Sequence, residues 1–109
     1  MAWLVRDGDV LASAEVADTP SWRRRGLIGR RDFEGAFVLR PCRHVHTIGM
    51  RFPLDVACCD RRGVVLRVLS LAPWRVAPIV WGTAFVVEAR AGAFARWNLV
   101  AGDELEIAE

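Results

Sequence analysis

The densest cluster of chemistry-bearing side chains is His46-Thr47-Ile48-Gly49-Met50-Arg51-Phe52-Pro53-Leu54-Asp55-Val56, set between two apolar runs. A histidine can move a proton near neutral pH, an aspartate can orient or exchange one, and an arginine can hold an anion with its planar fork. Polar groups embedded in hydrophobic sequence must find specific partners, so such a stretch marks either a site or a structural lock. Asp55 opens an apolar strand directly after Pro53-Leu54, and its carboxylate needs backbone N–H groups or a cation. Arg25 and Arg51 are the candidate cations. Glu88, following Phe85-Val86-Val87, makes the same demand. One reading has Asp55 capping the turn made by Met50–Leu54 and pinning its strand. The other has His46, Asp55 and Glu88 lining one cleft for acid–base work, with Arg25 as an anion clamp.

Two further constellations could in principle carry chemistry. In Cys42-Arg43-His44-Val45-His46, alternate residues on a strand would share a face about 6.6 Å apart, but Cys42 and His46 would stand about 13 Å apart, too far for one zinc on a straight strand. With no Cys-x-x-Cys pair and no helical His-Glu-x-x-His, no metal and no cofactor is expected. A Cys42/His46 nucleophile pair lacks an identifiable orienting group or oxyanion device. Cys58 and Cys59 are adjacent, so on a strand they point to opposite faces and do not form a disulfide with each other. Three buried thiols are expected.

The elements that must carry these residues belong to a globular chain: 53% of the 109 residues are hydrophobic and 26% charged, which leaves room for one core. All basic residues are arginine, tyrosine is absent, and five tryptophans supply bulk. A net charge of +2 does not point to nucleic acid, although residues 22–51 hold eight arginines against Asp32 and Glu34. The chain lacks a basic start followed by a long apolar run, and no apolar run approaches about 18 residues. Neither a signal peptide nor a membrane span is expected, and a cytoplasmic location follows.

Asp7-Gly8-Asp9 between apolar runs predicts a hairpin of Trp3–Arg6 with Val10–Val16. Thr19-Pro20 opens a helix to about Gly29, with Trp22, Leu27 and Ile28 facing inward. Gly35–Leu39 and Cys42–Thr47 are strand candidates, and Asp55–Asp60 with Val64–Leu71 forms a second hairpin around Arg61-Arg62-Gly63. Trp74–Trp81 is irregular. Ala84–Arg90 is a strand, Gly92–Trp97 one helical turn, and Glu104–Ala108 a closing strand. The whole predicts a single α+β domain over residues 1–109. It is β-rich, a small barrel or two-sheet sandwich of seven or eight short strands with about two short helices.

Several of these pieces fall in a familiar order: Arg25-Gly26-Leu27-Ile28-Gly29-Arg30, His46-Thr47 through Asp55, Asp60 with Gly63, Glu88 with Ala91-Gly92, and Gly102-Asp103. In that order the chain resembles the domain of unknown function 192 family over about residues 14–107. It departs from the family's pattern at Ile28, where methionine is common, and at Cys58-Cys59, where aliphatics or phenylalanine are usual. The resemblance implies a fold and brings no settled activity. The residues point to a non-catalytic module binding an anionic small ligand or an acidic partner segment near Arg25, His46, Arg51, Asp55 and Glu88, with Trp74 and Arg75 at the rim. The alternative is a hydrolase-like or metal-assisted enzyme using His46, Asp55 and Glu88.

Overall fold

The computed structural model describes all residues, 1–109. The chain runs β1 (Ala2–Arg6), β2 (Asp9–Ala17), α1 (Pro20–Arg25), β3 (Ala36–Leu39), β4 (Leu54–Cys59), β5 (Val65–Leu71), β6 (Phe85–Arg90), α2 (Ala93–Trp97) and β7 (Leu105–Ala108). All seven strands form one sheet in the order β5-β4-β6-β3-β2-β1-β7. Of the two architectures anticipated, a small barrel and a two-sheet sandwich, the barrel-like one is adopted, as a single curled sheet. Its edge strands meet at one end, where Val64 bridges Glu104 and Leu105 N–H donates to the Gly63 carbonyl at 2.8 Å. Pairing the edges in this way satisfies backbone groups that an open sheet would leave exposed.

The central strands are almost wholly buried and apolar, apart from Asp55 in β4 and Glu88 in β6, because both faces are covered. On the concave face, residues from every strand gather around Leu4, Val38, Ala57, Val65, Val87 and Leu105, and Phe94 of α2 packs into them. On the opposite face Phe37, Val56, Cys58 and Val86 pack under Leu27, Phe33, Val45 and Met50, which come from the connections. Strand alternation decides which residue serves which core.

Three expectations are corrected. Cys42–Thr47 forms no strand, and only His46 makes an isolated bridge, to Val76. Its backbone is held by loop contacts, including Cys42 N–H to the Ala84 carbonyl and Ala77 N–H to that of Val45. The first helix ends at Arg25 because Gly26 adopts a positive φ of 52° and turns the chain away. Trp22 does not face inward: α1 buries none of its residues, and Leu27, beyond the helix, inserts instead. Thr19 caps α1 as expected, accepting from Trp22 N–H.

Candidate functional site

The polar residues singled out in the sequence separate onto two faces of the sheet. Asp55 is buried on the concave side, where Oδ1 accepts from Ser70 Oγ at 2.9 Å. Oδ2 accepts from the backbone N–H groups of Gly92 at 2.9 Å and Phe94 at 3.1 Å. The carboxylate thus caps the first turn of α2, which has no side-chain cap of its own, and ties it to β4 and β5. Backbone N–H groups and a serine take the place of the arginines proposed as partners. The capped element is α2 and not the Met50–Leu54 turn.

Glu88 faces the other way. It lies on β6 between Phe37 of β3 and Val56 of β4, only 5% exposed. Burial pushes its carboxyl up to about 8. Above it is a pocket of about 250 Å³ that Arg23, Arg24 and Arg25 line from α1, Cys42, His44 and His46 from the following loop, and Leu27, Leu39 and Met50 with apolar surface.

Arg25, His46 and Glu88 therefore share this pocket. Asp55, Arg51 and Trp74 do not line it. Arg51 is exposed, and Trp74 is 64% exposed at a positive φ of 62°. Arg23, Arg24 and Cys42 are pocket residues that the candidate set lacked. The arginine run was visible as charge, but its direction depends on where α1 stops.

The loop wall is fastened by Thr47, which is completely buried. Its hydroxyl donates to the Ala72 carbonyl at 2.6 Å and accepts from Arg75 N–H at 2.9 Å, while its carbonyl accepts from Trp74 and Met50 N–H. This knot joins the 45–50 segment to 72–75. The histidines are placed by similar means. His44 Nε2 donates to the Ala77 carbonyl, and His46 Nδ1 accepts from Ile48 N–H at 3.2 Å. With Nδ1 accepting, neutral His46 carries its proton on Nε2, so it offers a donor and not a base. Cys42 donates its thiol to the His44 carbonyl, and burial raises its pKa, with Glu88 adding to the effect. It is a thiol, not an activated thiolate. No group of three or more His, Cys, Asp or Glu side chains is arranged to hold a metal ion.

The profile of DUF192, described as an uncharacterized ACR, matches residues 2–107. The chain belongs to this family. DUF192 carries no assigned activity, so membership supports the fold. No curated protein matches the chain significantly. Two solved structures share the DUF192 chain's architecture. One is a protein of unknown function from Novosphingobium aromaticivorans, with a TM-score of 0.80 and 22% identity over 96% of this chain and 82% of that one. The other is a proposed transcription regulator from Sinorhizobium meliloti, with a TM-score of 0.76 and 24% identity over 97% of this chain and 91% of that one. At these identities the likeness concerns the fold alone.

Proposed function

We propose that this protein is a non-catalytic module that binds a small anionic ligand in the pocket beside α1, with the α1 arginines as its anion-facing rim. The observation carrying this reading is that Arg23, Arg24 and Arg25 line one pocket while none of them pairs with a carboxylate. The four ion pairs of the chain use Arg6, Arg30, Arg40 and Arg90 instead. Unpaired guanidinium groups beside a partly apolar cavity suit a carboxylate or phosphate that enters from solvent. His46 adds an N–H donor to the same lining.

The enzyme reading draws less support. Asp55 is spent on capping α2 from the far face of the sheet, His46 presents a proton where a base needs a lone pair, and Cys42 is protonated. A transcription-regulator role is the description of the Sinorhizobium protein only. No helix is long and apolar enough to cross a membrane. Three free cysteines suit a reducing compartment, and a cytoplasmic location is part of this reading.

Isothermal titration with phosphate, citrate and an acidic peptide tests the proposal. Binding that weakens about fivefold or more in Arg24→Ala and Arg25→Ala supports it. Absence of binding, or binding indifferent to both substitutions, overturns it. Selective capture of the peptide would shift the ligand to an acidic partner segment.

A further inference from the structure

Glu88 is an anomaly in a pocket rimmed by cations. It is 5% exposed, in the middle of the sheet, and burial is the sole cause moving its pKa: no hydrogen bond or neighbouring charge offsets it. Native proteins seldom leave a buried carboxyl without a partner. No buried side-chain oxygen in the chain is both sealed and unpartnered, so the Glu88 oxygens open onto the pocket they line.

We infer that the pocket is bipolar and takes a small zwitterion, with an ammonium N–H group against Glu88 and a carboxylate or phosphate against Arg24 and Arg25. This rests on the anion-binding reading of the same pocket and adds its second pole. The two poles are separate: the ion pairs of the chain join Arg6, Arg30, Arg40 and Arg90 to other carboxylates, and no arginine is in ion-pair contact with Glu88. Leu27, Leu39 and Met50 lie in the lining, apolar surface against which a short alkyl body can pack. A volume of about 250 Å³ suits a ligand below drug size.

The charged and titratable groups around Glu88 are few. The α1 end contributes Arg23, Arg24 and Arg25, the loop contributes Cys42, His44 and His46, and β4 contributes Cys58, whereas β3 offers only Phe37 and Leu39. No other carboxylate lines the pocket to compete for a cation. Because burial keeps Glu88 protonated up to about 8, an ammonium group binding at pH 7 displaces the carboxyl proton to solvent.

Titration of the whole protein with 4-aminobutyrate, 6-aminohexanoate and O-phosphoethanolamine, beside butyrate, hexanoate and ethyl phosphate, tests this. At least one zwitterion should bind about tenfold or more tighter than its matched anion, the margin of one charge-assisted hydrogen bond. Its heat at pH 7 should vary with buffer ionisation enthalpy in the sense of proton release. Glu88→Gln should erase both the preference and the proton release while anion affinity is kept, and Glu88→Leu should act alike if Gln perturbs folding. If matched anions bind as well as zwitterions, or Glu88→Gln keeps the preference, the bipolar pocket is wrong and anion binding stands. If no probe binds, both readings fall.

Discussion

Asp55 and Glu88 are carboxylates on neighbouring strands, offset by one rung, that serve opposite faces of the sheet. Asp55 pairs with Ala89 and Glu88 with Val56 across the β4–β6 ladder. One rung reverses the side-chain direction, so the first reaches α2 and the second the pocket. One carboxylate is saturated with hydrogen bonds and the other has none. Their consequences should therefore differ in kind.

Removing Asp55 should cost stability and leave pocket chemistry intact. Asp55→Ala strands the N–H groups of Gly92 and Phe94 and should destabilise the fold by about 3–5 kcal/mol, and Asp55→Asn by about 1–3 kcal/mol. Urea unfolding of each variant, with anion titration of the folded fraction, checks both halves.

Glu88 predicts a pH dependence of the opposite sense to a paired carboxylate. Its folded pKa, about 8, lies above the ordinary 4.5, so the unfolded chain loses this proton first. Its contribution is fully present below 4.5 and is lost as pH rises to about 8, with a slope of up to about 1.4 kcal/mol per pH unit. Glu88→Gln should match wild type near pH 4 and exceed it by a few kcal/mol at pH 8. Chemical denaturation at the two pH values measures the difference, and equal stabilities at pH 8 would refute it.

Thr47 should tolerate only a hydroxyl. Thr47→Val keeps the shape but strands the Ala72 carbonyl and Arg75 N–H, a loss of about 2–3 kcal/mol, whereas Thr47→Ser should retain most of the stability. Amide exchange at Trp74 and Arg75 should rise in the valine variant alone.

Gly63 sits at φ 90° where the sheet edges meet, and a Cβ there would lie 2.1 Å from the Leu105 carbonyl oxygen. Gly63→Ala should break this contact and lower stability by about 1–3 kcal/mol from backbone strain, plus the cost of the clash. A melting temperature equal to wild type would show that closure is dispensable.

The thiols should rank by accessibility. Burial pushes Cys59 up to about 12, so it should resist alkylation at pH 8 until the protein unfolds, and half-buried Cys42 should react before Cys58 and Cys59. Mass spectrometry after timed iodoacetamide treatment gives the order.

Much of the architecture was legible as local chemistry. Asp7-Gly8 and Arg61-Arg62-Gly63 announced their hairpins, Thr19-Pro20 the start of α1, and the apolar runs of Asp55–Asp60 and Ala84–Arg90 the strands β4 and β6. The eighth strand candidate failed because Cys42–Thr47 pairs with loops and not with a strand edge, which no local propensity reports. Trp22 lies outward because α1 buries none of its residues, and it is Leu27, beyond the helix, that enters the core.

In the His46–Val56 segment the sequence by itself determined that a histidine and an aspartate needed partners, since polar groups inside apolar chain must be satisfied. Which partners was a tertiary matter. Ser70, Gly92 and Phe94 lie 15 or more residues from Asp55, and Ala72 lies 25 from Thr47. Strand order and register bring these groups together, and they send Asp55 and Glu88 to opposite faces. Spacing along one chain cannot encode a distance across a curled sheet. The cleft therefore formed around Arg25, His46 and Glu88, and Asp55 became a helix cap on the far side.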